Sequence, residues 1–304
     1  MQEWIDDGKG ETIGMESVLI TGAAGYLGST IVRLAANSER HIIAIDVYKE
    51  RIPKIDNVEV LSNDEWFQKE PLPVNSVVNC AFARGNDVAA LVSALDFNEE
   101  LIQRFIKMDL NAIINISSQG LYKPLGAGKL SDERALIEPT GMYALAKYAQ
   151  ERLFTTSFKN KVTNIRMASL SGNARFLVYF VDCAIQGKDI TVTAPNQYVS
   201  LIDVSDAATG IMSVCELPNG KRKSIYNLGT GLQYSILELA QIVKRIGKKK
   251  GFLPIQICVE DKGIHSAAGV NPTALKKDTG WKPKTDIEEM VEKVFENRRD
   301  SYNA

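Results

Sequence analysis

Tyr143 and Lys147 lie four positions apart, so a helix through this stretch sets both side chains on one face. A phenol beside an ammonium is a proton-transfer pair. Free tyrosine titrates near ~10, and phenolate is scarce at neutral pH unless a positive charge stands next to it. Lowering that value by ~3 units takes about 4 kcal/mol of differential stabilisation, which one adjacent lysine and a positively charged cofactor ring can supply. A Tyr-x-x-x-Lys pattern also arises often by chance, so its meaning depends on its surroundings. Ser118 closes the run Ile114-Asn115-Ile116-Ser117-Ser118 and brings a hydroxyl that can donate to a carbonyl or share the proton leaving an alcohol. Standing alone, such a serine would bond its own backbone.

The elements that must position these groups begin with Ser17-Val18-Leu19-Ile20-Thr21, a short buried strand that runs into Gly22-Ala23-Ala24-Gly25-Tyr26-Leu27-Gly28. Ile31, Val32, Leu34 and Ala35 then recur at helical spacing, which places the glycines at a strand-to-helix turn. Such a turn binds dinucleotide phosphates: glycines permit the tight bend and the close approach of backbone to pyrophosphate, and the helix start offers N–H groups and a positive dipole end. The next apolar run, His41-Ile42-Ile43-Ala44-Ile45, ends in Asp46, placed to accept hydrogen bonds from an adenosine ribose and to repel a 2′-phosphate. The expected cofactor is therefore NAD rather than NADP, with Lys49 and Arg51 the only nearby cations that argue the other way.

Length and composition agree. A chain of 304 residues with 45% apolar content supports one large or two modest globular domains. The formal charge of −1 gives no general attraction for nucleic acid or acidic membrane, and Lys248-Lys249-Lys250 reads as a solvated helix end. No apolar stretch reaches the ~18 residues of a membrane span, and the first residues are too polar for a secretory signal. Cys80, Cys183, Cys215 and Cys258 are widely spaced within apolar stretches with no Cys-x-x-Cys pair, so buried thiols in a reducing, cytoplasmic compartment are expected rather than disulfides. With His41 and His265 as the only histidines, neither a metal site nor a Ser-His-Asp system is expected.

Short apolar runs alternate with helical stretches, the pattern of repeated βαβ units and a doubly wound parallel sheet of Rossmann type. Strands are expected near Val18–Thr21, His41–Asp46, Val58–Leu61, Ser76–Cys80, Ala112–Ser117 and Val162–Ala168, with a helix from about Thr140 carrying Tyr143 and Lys147. Further helical signals occur at Phe176–Gln186, Val204–Glu216, Leu237–Ile246 and Ile287–Asn297, and loops near Lys123–Glu138 and Pro195–Val199. The expected organisation is an N-terminal extension over 1–14, an NAD-binding domain over 15–168 to which residues about 200–232 return, and a smaller substrate-binding lobe over 169–304.

Taken in order, these residues closely resemble the extended short-chain dehydrogenase/reductase family of NAD-dependent sugar epimerases, dehydratases and reductases. The resemblance runs from about Ser17 to Val294. It is carried by Thr21-Gly22-Ala23-Ala24-Gly25-Tyr26-Leu27-Gly28, Asn79-Cys80-Ala81-Phe82, Ser117-Ser118, Pro139-x-x-x-Tyr143-x-x-x-Lys147-x-x-x-Glu151, Arg166, Tyr226-Asn227-Leu228-Gly229-Thr230-Gly231 and Gly280-Trp281-x-Pro283. The resemblance implies Tyr143 as general acid/base, Lys147 holding the nicotinamide ribose and lowering the tyrosine pKa, and Ser118 polarising the reacting oxygen. It also implies Gly22, Gly25, Tyr26, Leu27, Asp46, Ala81 and Phe82 against the cofactor, and Arg84, Ser169 and Arg175 near substrate. Homodimerisation through two helices, here Val88–Lys107 and Tyr143–Phe158, is a further implication.

Departures from the family pattern bear on the substrate. Dehydratases carry an acidic pair after the catalytic serine or threonine, where this chain has Gln119 and Gly120, so a 4,6-dehydratase is not expected. Nucleotide-sugar enzymes place an arginine ahead of the aspartate equivalent to Asp206, where Val199 stands, and a second before Asn271-Pro272 is also missing. Ser169 takes the place of a common substrate-contacting asparagine. The reading is an NAD-dependent epimerase or ketoreductase of a nucleotide sugar. The alternatives are an oxidoreductase of a non-nucleotide carbonyl or alcohol and a non-catalytic dinucleotide sensor, which the three catalytic groups disfavour.

Overall fold

Short runs rich in Val, Ile and Leu that alternate with helical stretches suit a parallel sheet covered on both faces, and six such segments are joined here by a seventh, less apolar one. Ser17–Thr21 (β1), His41–Asp46 (β2), Val58–Ser62 (β3), Ser76–Asn79 (β4), Ala112–Ser118 (β5), Val162–Met167 (β6) and Ile225–Leu228 (β7) form one sheet in the order β7-β6-β5-β4-β1-β2-β3. The register pairs Val18 with Ile42 and with Ser76, Ile42 with Val58, and Ser76 with Ala112, all in parallel. Strand order reverses beside β1, where β2 lies on one side and β4 on the other. Ligands of such sheets bind beyond the carboxyl ends at that reversal. This is the Rossmann-type doubly wound architecture that the alternating pattern implies. The computed structural model describes residues 5, 6, 12, 13, 17–218, 220–263 and 266–303. Most of the expected N-terminal extension and His265 lie outside them, while Ile5–Asp6 pairs antiparallel with Thr12–Ile13.

Two compact units divide the chain, the first made of Met1–Ile116, Gly141–Asn164 and Ile211–Ser224 and the second of Ser117–Thr140, Ile165–Gly210 and Ile225–Ala304. In the first, helices α1 (Tyr26–Ala35), α2 (Asn63–Gln68), α3 (Val88–Phe105) and α4 (Met142–Phe158) accompany the sheet. Helix α1 buries Leu27, Ile31, Val32 and Ala35, the stripe its spacing predicts. Helix α2 starts in a capping box, with Ser62 accepting from the Glu65 amide and Glu65 accepting from the Ser62 amide. The core gathers Leu19, Ile43, Trp66, Leu101, Phe105, Ile113 and Phe154.

The second unit packs α5 (Arg175–Gln186), α7 (Ile236–Lys249) and α9 (Ile287–Asn303) around Leu177, Phe180, Leu239, Val243, Val291 and Phe295, with α6 (Val204–Cys215) and α8 (Thr273–Thr279) completing the helices. Helix α5 stops at Gly187, whose φ of +65° suits glycine, and α7 starts in a Ser235/Glu238 capping box. Asp206, on α6, accepts from the Lys284 amide at 3.0 Å and the Thr285 amide at 2.8 Å and so anchors the approach to α9. Two-residue strands pair Ser169–Leu170 with Leu201–Ile202 and Tyr198–Val199 with Tyr234–Ser235, the latter within a segment expected to be loop. Strand β7 likewise had no strand expectation. Among the described residues no helix is long and apolar enough to cross a membrane. All four cysteines are free, but of the thiols expected to be buried only Cys183 is; Cys80 and Cys215 are half-buried, and Cys258, in the short strand Ile257–Val259, is exposed.

Candidate active site

The turn after β1 is shaped by steric demand. Gly22 has φ +65°, and a Cβ there would come within 2.8 Å of the Ala81 amide nitrogen. A Cβ on Gly28 would lie 2.1 Å from the Gly22 carbonyl oxygen, so helix and turn meet backbone to backbone. Gly25 closes the turn by donating to Gly22 O at 3.0 Å and, as the N-cap of α1, brings no side chain of its own to cap the helix. That leaves the helix start, with Tyr26 as its first residue, shaped for an anion. Leu27 is buried in the face of α1, so only its backbone is placed for a cofactor.

Asp46, at the end of β2, has a structural duty as well. Its Oδ2 accepts from the Ala24 amide at 3.1 Å and its Oδ1 from the Tyr48 amide at 3.0 Å, which ties the glycine turn to the neighbouring strand. The two cations nearby are already engaged: Lys49 bonds Glu65, and the Arg51 guanidinium lies 4.6 Å from the Tyr48 ring centre. An acidic side chain at the end of β2, with both of these neighbouring cations engaged, fits NAD.

At the end of β4, the Ala81 amide donates to Thr21 Oγ1 at 3.2 Å, and the Phe82 ring meets Tyr143 and Lys147 of α4. Lys147 Nζ lies 4.0 Å from the centre of that ring and donates to Ile116 O at 2.8 Å and to Gln150 Oε1 at 3.0 Å. Its side chain is buried, 4% exposed, and burial drives the ammonium down to about 7, opposed by the nearby Cys80 and Glu151. Tyr143 shares the Phe82 ring edge-to-face, centroids 6.1 Å apart, and its amide donates to Asn86 Oδ1 at 3.1 Å. Burial pushes its phenol above the ordinary value, with Arg84 pulling the other way. The polypeptide alone therefore does not deliver the lowered phenol that the resemblance implies, because desolvation outweighs the local positive charge.

The groups around Lys147 extend into a network that the sequence reading did not foresee. Asn79 Nδ2 donates to Asn98 Oδ1 and to Asn115 Oδ1, Asn115 Nδ2 to Asn164 Oδ1 and Gln150 Nε2 to Asn98 Oδ1, at 2.7 to 3.1 Å. Thr21 Oγ1 closes the series on Asn79 Oδ1 at 2.6 Å. One signal was available: Gln150 stands three places after Lys147 on the same helical stripe.

Gly22, Gly25, Tyr26, Asp46, Ala81, Phe82, Arg84, Tyr143 and Lys147 all belong to the first unit, while Ser118, Ser169 and Arg175 belong to the second. Ser118 Oγ accepts from the Gly120 amide at 3.1 Å, the local bond a lone serine would make. Gln119 is 8% exposed and donates through Nε2 to Ser169 Oγ and Ser200 O, both at 3.3 Å. Arg175 is the exposed first residue of α5. A cavity of about 480 Å³ in this unit is bounded by Phe176, Tyr179, Thr191, Thr193, Gln197 and Val199 among others, and no charged side chain lines it.

A parallel sheet with a glycine cradle at its order reversal and a Tyr-x-x-x-Lys helix beside it defines a dinucleotide-binding oxidoreductase fold. The sequence model of the NAD dependent epimerase/dehydratase family matches residues 18–229, and the chain belongs to that family. It is 22% identical to a UDP-glucose 4-epimerase of Cyamopsis tetragonoloba, over 90% of this chain and 92% of the relative. It is also 22% identical to a dTDP-D-glucose 4,6-dehydratase of Bos taurus, over 97% of this chain and 94% of the relative. The fold matches MoeE5, solved with UDP-glucuronic acid and NAD, at a TM-score of 0.78, 20% identity, and coverage of 94% of this chain and 99% of that one.

The depressed Lys147 value makes stability depend on pH. Below about 7 both folded and unfolded chains carry the proton and the folded state bears the full cost of the buried charge; between about 7 and 10.5 only the unfolded chain holds it. Stability from this group therefore rises with pH across that window. Urea denaturation at pH 7 and at about pH 9.5 is expected to show a gain that shrinks in Lys147→Met. An equal gain in both proteins would remove this account of the buried amine.

Proposed function

We propose that this protein binds NAD and moves a hydride and a proton at one hydroxyl-bearing carbon of a nucleotide sugar, as an epimerase or a ketoreductase. The observation that carries the reading is the Lys147 ammonium, buried over Phe82 and on the same helix as Tyr143, in the unit that also holds the Gly22–Gly28 cradle and Asp46. Bound NAD supplies the hydride acceptor and, in its oxidised form, a positive ring. Tyr143 takes the proton of the substrate hydroxyl or returns it to the ketone oxygen. Lys147 places its charge beside that phenol and holds a ribose of the cofactor, and Ser118 serves the reacting oxygen. The phenol, raised by burial, needs the added positive charge of the cofactor before it can act as base near neutrality. Residues 15–168, with about 200–232 returning to them, are assigned to cofactor binding and 169–304 to substrate binding, with Arg84 from the first segment and Ser169 and Arg175 from the second as the candidate substrate contacts. Gln119 and Gly120 after Ser118 leave out the acid and base of a dehydratase, which favours epimerisation or net redox.

The second reading, a non-nucleotide carbonyl or alcohol as substrate, draws on the 480 Å³ cavity, whose lining offers a diphosphate no charge. Val199 on that wall stands where nucleotide-sugar enzymes have arginine.

A homodimer is also proposed. In the first unit α3 exposes Val88 and Val92, its C-cap Ile106 is exposed as well, and α4 exposes Met142, Leu145 and Leu153, apolar side chains suited to a second copy of the same helix pair.

Tyr143→Phe is expected to keep NAD affinity, read by protein fluorescence, and to lose at least ~10² of turnover; full turnover would remove the acid/base assignment. Thermal-shift measurements with UDP-, dTDP-, GDP- and CDP-sugars should show stabilisation by one nucleotide class, and silence across the panel would favour the second reading. Light scattering after gel filtration should give twice the chain mass for the wild type and one chain mass for Val92→Glu/Leu145→Glu. A wild-type monomer would end the dimer proposal.

A further inference from the structure

The amides beneath the catalytic helix have only one consistent orientation, and it ends on Lys147. The carbonyl oxygens of Ala94 and Ala81 can only accept, and both are met by Asn98 Nδ2, at 2.6 and 3.4 Å. Asn98 must then present Oδ1 on its other side, where Asn79 Nδ2 donates at 2.7 Å and Gln150 Nε2 at 2.9 Å. That fixes Gln150 in turn, with Oε1 facing Lys147 Nζ at 3.0 Å. An ammonium only donates, so a fixed acceptor stabilises its charged form and gives it a direction. Gln150 is fully buried, and a buried polar side chain so tightly determined is a rigid support rather than an adaptable one.

We propose that Gln150 is a positioning residue that keeps the Lys147 ammonium charged and aimed for the proton chemistry of Tyr143, an inference that rests on the catalytic reading of that pair. The titratable groups that act on Lys147 are Cys80, beyond the end of β4, and Glu151 on its own helix; Ile116 O, Gln150 Oε1 and the Phe82 ring, which Tyr143 also meets, surround it. Burial pushes the Cys80 thiol up to about 12. Glu151 favours the ammonium, but burial outweighs it and leaves Lys147 close to neutrality, where one acceptor more or less changes its charge in the working range. The same network reaches the cofactor cradle, because Ala81 O accepts from Asn98 and the Ala81 amide donates to Thr21 Oγ1. The lysine and the floor of the cradle thus share one set of fixed amides.

The test is a pH titration of the Lys147 ¹³Cε resonance in the full-length protein with saturating NAD, assigned by its absence from Lys147→Arg. Gln150→Leu is expected to lower the proton affinity of Lys147 about tenfold, and Gln150→Glu, which keeps the shape and adds charge, to raise it above the wild type. A merely structural role would alter melting temperature and leave the midpoint in place. Unmoved midpoints in folded Gln150→Leu would overturn the proposal, and if that variant fails to fold, an unmoved midpoint in Gln150→Glu does so. The turnover of Tyr143→Phe separates the two layers. Shifted midpoints with active Tyr143→Phe would remove the catalytic reading alone, and unmoved midpoints with inactive Tyr143→Phe would remove the role of Gln150 alone.

Discussion

A protonated amine inside a protein costs several kcal/mol of lost hydration unless acceptors replace water, and Lys147 is such an amine. Much of the local architecture reads as an answer to that cost. The strand β5 ends with its Ile116 carbonyl turned to Nζ, an aromatic face lies below, and a glutamine one turn further along the helix supplies the last acceptor. Helix α4 carries Ala144 and Ala146 among its buried residues, small enough to bring its backbone close. Compensation remains incomplete, and the amine sits near its titration point in place of being fully charged or fully neutral.

The second constraint is closeness at the β1 turn. Backbone approaches at Gly22 and Gly28 leave no room for a side chain, while the asparagines below hold β1, β4 and β5 through side-chain amides as well as the strand ladder. Few positions are fixed this tightly. That accounts for a fold shared with relatives at about one residue in five, since most core sites ask only for apolar volume.

Six of the seven sheet strands and the glycine turn were legible because their signals are local: apolar runs of strand length, glycines at a strand-to-helix junction, an acid at the next strand end. The helix bearing Tyr143 and Lys147 was legible from spacing. Strand β7 was not, since Ile225–Leu228 is four residues long with a buried asparagine inside it. The two-residue strands of the second unit carry too few residues to show alternation. The asparagine network escaped for a different reason. Asn79, Asn98, Asn115 and Asn164 come from three strands and a helix, and nothing in the spacing of any one of them says that they meet. Sequence shows which charges stand near the Tyr143 phenol but not how much water is excluded from it, and burial raises that phenol before any cofactor charge is added.

Asp46 carries two loads at once, and this limits how the protein can change. Its carboxylate braces the glycine turn through Ala24 and Tyr48, and it is also the residue proposed to read the cofactor ribose. A lineage shifting toward a phosphorylated dinucleotide could not simply discard the acid, for the loop would slacken as the repulsion vanished. Any such conversion has to pass through a replacement brace, so cofactor choice here is historically sticky in a way that a freely exposed carboxylate would not be.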